Sequence, residues 1–332
     1  MAKANRLALS VLVVLSFAAF AAAQSYTVTD LGPGGANAIN SLGDVLVQDP
    51  NLNSFVWAPG GSLLALPPLA GDSTAIAFSI NSRGLVVGGS ESHTSSSAVL
   101  WTNGVPLDLG TLGGTSSTAT GINASGEVVG LNVIPTGAEA FLWTEATGMQ
   151  GLGFLRGSTV SIADGINRFG QVVGYAIGVN VDDAFIWSKT TGMKDLGRLP
   201  GYDSSGASAI NDLGQVAGFS QCINCSLETH ATLWSKAKGS MHDLGVLPGA
   251  SSSAAHGINN VGQVVGASYY SATNESHAFV WSPSTGMLDL NTLIPANSGW
   301  FLQYALAIND KGQIVGYGLL NGQGEGFLLT PQ

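Results

Sequence analysis

A five-residue motif, Ile-Asn-x-x-Gly, occurs seven times in this chain of 332 residues. An alanine precedes every isoleucine by three residues, so all copies keep one register. Successive copies start 41, 42, 44, 44, 48 and 50 residues apart, at Ile39, Ile80, Ile122, Ile166, Ile210, Ile258 and Ile308. Self-similarity at such a period is the signature of a repeat architecture, in which each copy is one supersecondary unit. The chain is therefore predicted to be built from seven related units.

Each unit is predicted to contain four antiparallel strands, named A to D in chain order. Strand A is short and carries small side chains, as in 119–123, and Asn-x-x-Gly suits a tight turn closed by a left-handed glycine. Strand B follows, as in 127–130, and strand C is apolar on both pleat faces, as in 140–143. Strand D contains Asp-Leu-Gly, as in 193–197. A sheet that is apolar on both faces must be covered on both.

These features predict an all-β fold, a seven-bladed β-propeller of four-stranded blades, in which neighbouring blades cover each other. Small residues in strand A fit the crowded centre of such a ring. A lone D-type strand at 26–32 precedes the first unit, and the last unit ends after its strand C. We therefore expect the N-terminal strand to complete the last blade, which removes exposed sheet edges. Residues 24–332 are predicted to form this single domain.

The first 23 residues have the pattern of a secretory signal peptide. Lys3 and Arg6 are followed by an apolar run at 7–20 and by three alanines at 21–23. The run is short for a membrane span, and because no second apolar stretch follows it, no span is expected in the mature chain. A formal net charge of −10 disfavours a nucleic-acid partner. The predicted location is periplasmic or extracellular.

The repeated residues resemble those of the HAF-repeat extracellular proteins of bacteria. The resemblance rests on Ile-Asn-x-x-Gly-x-Val-Val-Gly, on His277-Ala278-Phe279-Val280-Trp281, and on Gly-Met-x-Asp-Leu-Gly, and it covers nearly all of 26–332. Other copies depart from the His-Ala-Phe motif, as with Asp183 and His230 at the histidine position. The resemblance implies an exported repeat protein and brings no established activity or catalytic residue.

Length variation among the units falls mostly in the B–C loops, which share one face with the D–A crossovers. Variable loops on a rigid scaffold commonly carry binding residues. Three aromatic residues in the longest crossover are predicted ligand contacts, with core packing as the alternative: Trp300, Phe301 and Tyr304. Polar residues that start strand C are a second set, with solvated strand starts as the alternative: Glu139, Asp183, His230 and His277.

Two further groups of residues complete the candidates. Asp164 and His256 occupy a variable strand A position and are the polar residues to expect in a central channel, unless they are buried and satisfied. Cys222 and Cys225 favour a local disulfide, because a lone Cys-x-x-Cys lacks the four ligands of a structural zinc site. We identify no metal ligands, no cofactor motif and no catalytic residue.

The favoured function is a non-enzymatic binding or surface-interaction module for an extracellular ligand, with glycans as one ligand class. Two alternatives stay open. One is a glycan-active hydrolase or lyase with its site at the channel mouth, because propellers can assemble such sites from several blades. The other is a structural envelope or matrix protein.

Overall fold

A computed structural model describes residues 25–332 except 180, 224–227 and 236–239, and the predicted signal peptide and Cys225 lie outside the described residues. The described chain is almost entirely β, which confirms the predicted class. In chain order its elements are β1 (Tyr26–Pro33), β2 (Gly35–Ile39), β3 (Val45–Gln48), β4 (Ser54–Trp57), β5 (Leu63–Ala65), β6 (Thr74–Ile80), β7 (Val86–Glu91), β8 (Ser96–Thr102), β9 (Val105–Asp108), β10 (Ser116–Ile122), β11 (Val128–Ile134), β12 (Gly137–Thr144), β13 (Gly148–Gly151), β14 (Ser158–Ile166), β15 (Val172–Gly178), β16 (Val181–Ser188), β17 (Gly192–Asp195), β18 (Ser204–Ile210), β19 (Val216–Gln221), β20 (Thr229–Ser235), β21 (Ser240–Asp243), β22 (Ser252–Ile258), β23 (Val264–Tyr270), β24 (Glu275–Ser282), β25 (Gly286–Asp289), the 3-10 turn Leu290–Thr292, β26 (Trp300–Ile308), β27 (Ile314–Leu320) and β28 (Gln323–Pro331).

The strands form antiparallel sheets with the A-B-C-D order that the repeat predicts. Five sheets have four strands, and one has eight. The eight-stranded sheet consists of two four-stranded sets, β10–β13 and β14–β17, joined by the single parallel pair Ala138 and Val160. Strand β1 pairs with β28, so the sheet of β26, β27 and β28 receives its fourth strand from the other end of the chain. Among the described residues, no helix is long and apolar enough to cross a membrane.

The asparagine of each motif joins its own turn to the next unit. Its Oδ1 accepts the backbone N–H four residues ahead in every motif and also the one two residues ahead in all but that of Asn259, as Asn167 does from Phe169 and Gln171, both at 3.1 Å. Its Nδ2 donates to the backbone oxygen of the next asparagine, as from Asn167 to Asn211 at 3.1 Å. The same bond links every successive pair at 2.9–3.2 Å, from Asn40, Asn81, Asn123, Asn167, Asn211 and Asn259. A further bond runs from Asn309 back to the Asn40 oxygen at 3.0 Å.

Strand A contains a β-bulge at the same position in all seven units. The residue two before each isoleucine has no partner in the A–B register, so it lies between paired neighbours: Asn37, Phe78, Thr120, Asp164, Ser208, His256 and Leu306. A bulge re-aims a side chain locally. The bulged backbone also approaches strand B closely. A Cβ on the facing glycine would lie 1.9–2.0 Å from a carbonyl oxygen in six units, at Gly88, Gly130, Gly174, Gly218, Gly266 and Gly316.

Buried serines tie four of the units to the unit before each of them. The Oγ of Ser161 accepts the Ala140 N–H at 2.9 Å from the preceding strand C and donates to the Gly153 oxygen at 2.8 Å. Equivalent pairs of bonds are made by Ser117, Ser205 and Ser253. These serines stand two residues before the motif alanine, a regularity that the sequence reading missed. They satisfy backbone groups that would otherwise be buried without partners.

Gly174→Ala is expected to destabilise the protein, because the added Cβ would lie 1.9 Å from the Ile162 oxygen. Overpacking of this kind typically costs about 1–3 kcal/mol. The control is Gly35→Ala in β2, whose Cβ would meet nothing closer than Asn37 Oδ1 at 3.6 Å. Urea unfolding followed by circular dichroism measures both variants. Equal midpoints for the two would contradict the close-approach explanation.

Asn167→Asp is expected to lower stability, because a carboxylate cannot donate to the Asn211 oxygen. A buried acceptor that loses its donor costs about 1–3 kcal/mol. Asn103→Asp is the control, since Asn103 is exposed on the turn between β8 and β9. Thermal unfolding at neutral pH compares the two. If Asn167→Asp unfolds at the wild-type temperature, the hydrogen bond between units carries no net stability.

Candidate functional site

The connections divide between two ends of the sheets. The Asn-x-x-Gly turns and the short C–D turns share one end, which we call the turn face. The B–C hairpins and the D–A crossovers share the other, which we call the crossover face. The Asn-x-x-Gly turns are uniform, whereas the crossover face differs from unit to unit in length and sequence. Side chains that distinguish one unit from another therefore lie mainly at the crossover face.

A compact group of rings surrounds His277 on the crossover face. The His277 ring lies 4.6 Å from the ring of Tyr270 at a tilt of 48°. It lies 4.9 Å from the ring of Phe301, which meets it edge-on at 88°. Nearby, the Tyr304 hydroxyl accepts a hydrogen bond from Ser276 at 3.0 Å, and Tyr304 is 39% exposed. We call His277, Tyr270, Phe301 and Asp289 the His277 patch.

Asp289 fixes the orientation of the His277 ring. Its Oδ2 lies 2.7 Å from His277 Nδ1, and its Oδ1 accepts two hydrogen bonds from Asn291, each at 2.9 Å. Asn291 in turn bonds the backbone of Leu302 in β26 through both side-chain atoms. A carboxylate that accepts from Nδ1–H leaves Nε2 of the neutral ring as an acceptor. The neighbouring unit therefore buttresses this histidine through the carboxylate.

The four polar residues predicted to start strand C lie inside strands instead. His277, Glu139 and Asp183 are each the third residue of their strand, and His230 is the second. The B–C connections were predicted too long, because the backbone goes on pairing beyond the motif residues. These four residues are therefore not solvated strand starts, because each side chain has a partner within its own unit.

Those partners differ from unit to unit. His230 Nδ1 lies 2.9 Å from Asp243 Oδ2, and the Tyr202 ring is 5.6 Å away. Glu139 Oε1 accepts the Gly153 N–H at 3.0 Å. Asp183 lies 3.2 Å from Arg198, while burial and next the charge of Asp195 raise the pKa of its carboxyl. The structure does not gather these four residues into one cluster; His277 alone of them is packed among several aromatic rings.

The three predicted aromatic contacts also lie in a different place from the one expected. Trp300, Phe301 and Tyr304 belong to β26, where Trp300 and Phe301 pair with Leu320 and Leu319 of β27. A second bulge between Leu302 and Tyr304 lengthens this strand A, so the crossover ends before it. Trp300 packs on the core of the last sheet, with the Phe327 ring 6.1 Å away. Phe301 reaches His277, whereas Tyr304 bonds Ser276.

A central cavity of about 710 Å³ lies on the crossover side of the asparagine bonds. Six of the seven bulge residues line it, with Gln48 and Ile76: Asn37, Phe78, Asp164, Ser208, His256 and Leu306. Both residues predicted for a channel, Asp164 and His256, are among them. The seventh, Thr120, donates to the Ala163 oxygen at 2.6 Å and is not part of the lining.

The two ionisable residues of the cavity are shifted toward their neutral forms. Burial raises the pKa of Asp164 to about 7. The Asp164 side chain is only half-buried by accessible area, because it faces the cavity. Protein surrounds that cavity, so the carboxyl is still poorly solvated. Burial also lowers the pKa of His256, an effect that its hydrogen bond to the Ala305 oxygen opposes. The distance from His256 Nδ1 to the Ala305 oxygen is 3.1 Å. Because a carbonyl oxygen only accepts, Nδ1 is the protonated nitrogen.

Cys222 is buried, and because Cys225 lies outside the described residues, their pairing stays a prediction. Within the described ranges no group of three or more histidine, cysteine, aspartate or glutamate side chains could hold a metal ion. Sequence reading missed Tyr270 and Asp289. The available signal was the aspartate of strand D, which follows His230 by 13 residues and His277 by 12.

No family model matches the chain, and no curated protein does so. Solved structures with a similar fold include virginiamycin B lyase from Staphylococcus aureus, with a TM-score of 0.60, 10% identity and coverage of 92% of this chain and 99% of that one. A catalytically inactive histidine-to-alanine variant of that lyase, with quinupristin, matches at 0.60 and 11% identity, over 92% and 99%. Oligogalacturonate lyase from Vibrio parahaemolyticus matches at 0.60 and 11% identity, over 91% and 93%. The chain has a β-propeller fold. Identities this low carry the fold alone.

An acid whose pKa is raised by burial makes the stability of the folded state depend on pH, and Asp164 is such an acid. Below about pH 4 the folded and unfolded chains both hold this proton. Between about pH 4 and pH 7 the unfolded chain loses it first, so the folded state loses stability as pH rises, and the loss levels off above the folded pKa of about 7. Asp164→Asn cannot ionise and should escape this loss.

Melting temperatures from pH 4 to pH 8 test this expectation. The difference between Asp164→Asn and wild type should grow in favour of the variant up to pH 7 and then stay constant. Glu145→Gln, at an exposed acid, is the matched control. A difference for Asp164→Asn that is the same at pH 4 and pH 8 would show that the carboxyl titrates normally.

Proposed function

We propose that the chain is an exported, closed propeller of seven blades that binds an extracellular ligand at the crossover face. Closure is supported by the pairing of β1 with β28 and by the return bond from Asn309 to Asn40. It is also supported by the shared core of the first and last sheets, which contains Ala36, Val45 and Leu328. Export is supported by the signal-peptide pattern of 1–23, and the HAF-repeat resemblance points the same way.

The His277 patch is the observation that carries the binding site. It combines two aromatic rings at van der Waals distance from His277 with a histidine held by a carboxylate. Aromatic side chains provide apolar contact at little conformational cost, and few polar atoms fix a ligand's orientation. Glycans offer both a C–H face for the rings and hydroxyl groups for His277 Nε2. Glycans are therefore the proposed ligand class.

A glycan array with the secreted chain tests the proposal, followed by titration of the best glycan. Phe301→Ala and His277→Ala are each expected to weaken binding about tenfold or more, about 1.4 kcal/mol. Val105→Ala is the control, because Val105 is 67% exposed on β9 of another unit. Circular dichroism checks that every variant is folded.

Three results would count against the binding module. Silence on the array favours a structural envelope or matrix protein. Full binding by both patch variants moves the site elsewhere on the molecule. Release of product from a bound glycan replaces a binding module with an enzyme.

The second candidate function is a lyase, favoured by the His277–Asp289 pair. Nε2 of a histidine oriented in this way can remove a proton from carbon, while the leaving oxygen departs and a carbon–carbon double bond forms. Two similar folds named above are lyases, and a histidine-to-alanine variant of one is inactive. Mass spectrometry separates the chemistries, since elimination adds no water to the products and hydrolysis adds one molecule. An unsaturated product that disappears in His277→Ala would establish the lyase.

A further inference from the structure

The central cavity is divided into a polar and an apolar side by the order of the units. Asp164, Ser208 and His256 come from units four, five and six, so they occupy three neighbouring positions. Phe78 of unit two and Leu306 of unit seven lie on either side of Asn37 of unit one, and Gln48 of unit one also lines the cavity, so the apolar residues of this side are interrupted by two amides. Ile76, two residues before Phe78, adds to the apolar wall. A molecule that fills this cavity must therefore be polar at one end and apolar at the other.

The polar side is rich in acceptors and has no matching cation. Asp164 makes no hydrogen bond or ion pair with any described residue. His256 donates a hydrogen bond from Nδ1 to the Ala305 oxygen, which leaves Nε2 as an acceptor. No lysine or arginine among the described residues lines the cavity. Its uncharged donors are the Ser208 hydroxyl and the Asn37 and Gln48 amides, so an anionic ligand would meet an acid and no opposite charge, whereas a cationic ligand would supply the missing charge.

Thr120 shows that the missing contact at Asp164 follows from its chemistry. Thr120 and His256 occupy the same bulge position, and each donates to the alanine oxygen of the next strand A. An ionised carboxylate cannot donate in that way, so an aspartate at this position keeps its acceptors free. At this bulge position, unit four therefore has a carboxylate that faces the cavity in place of the hydrogen bond to the next unit that Thr120 and His256 make.

We propose that the central cavity binds a small organic cation with an apolar body. Its ammonium group lies against Asp164 and Ser208, and its hydrocarbon part lies against Phe78, Ile76 and Leu306. The volume of about 710 Å³ is within the usual range for small-molecule sites. Phe78 is 41% exposed, so the cavity communicates with solvent. This site is separate from the His277 patch, and it goes beyond the proposed glycan binding.

Calorimetric titration at pH 8 tests the site with phenethylammonium and its neutral counterpart 2-phenylethanol. The secreted chain should bind the ammonium compound at least tenfold more tightly than the alcohol. Asp164→Asn should lose at least tenfold in affinity for the ammonium compound and little for the alcohol. Phe78→Ala should weaken both compounds to a similar degree, because it removes apolar contact only.

His277→Ala is the control that separates the two proposals, since it alters the surface patch and leaves the cavity intact. It should bind phenethylammonium as wild type does, whatever its effect on glycans. The cavity proposal is overturned by equal affinities for the amine and the alcohol, or by an unchanged affinity in folded Asp164→Asn. It is also overturned if neither compound binds at about 10 mM, where even a weak site would be occupied.

Discussion

The asparagine in each motif sets the geometry on which the other features depend. A carboxamide has two acceptor sites and two donor hydrogens, and here one oxygen orders a turn while the nitrogen reaches the next unit. Aspartate lacks the donors, and serine lacks the reach. Because the same atoms form the turn and the link, one residue fixes both the shape of a unit and its place beside its neighbour. In each unit the bulge of the crowded strand A lies three residues before the asparagine that makes these links.

The repeat made much of the fold predictable. Seven copies in one register indicated four-strand units, and the position two before each isoleucine drew attention to Asp164 and His256, which both line the cavity. The bulge that places them there leaves no separate mark, because only the pairing of strands A and B reveals it. Strand ends were less predictable, since hairpins kept pairing past the motif and drew Trp300 and its neighbours into β26.

The candidate site was predictable only in part, for a physical reason. His277 stood out through its motif and Phe301 through its unusual location, but nothing in the sequence placed them 4.9 Å apart. Their contact depends on the rotation between two units, which is set by packing that no single copy encodes. Asp289 was visible as a repeated strand D residue, and its bond to the histidine at 2.7 Å became apparent only with the register of β24 and β25.

Strand β1 pairs with a partner about 300 residues away, as Val28 does with Leu329. During synthesis the residues of β1 emerge first, and they must wait until those of β28 have been made. The five sheets formed from contiguous sequence can fold earlier, while the edges along which β1 and β28 pair stay open to solvent. Pairing of β1 with β28 joins residues about 300 positions apart, and contacts so distant in sequence form slowly, so a strand from another molecule could compete for the open edge.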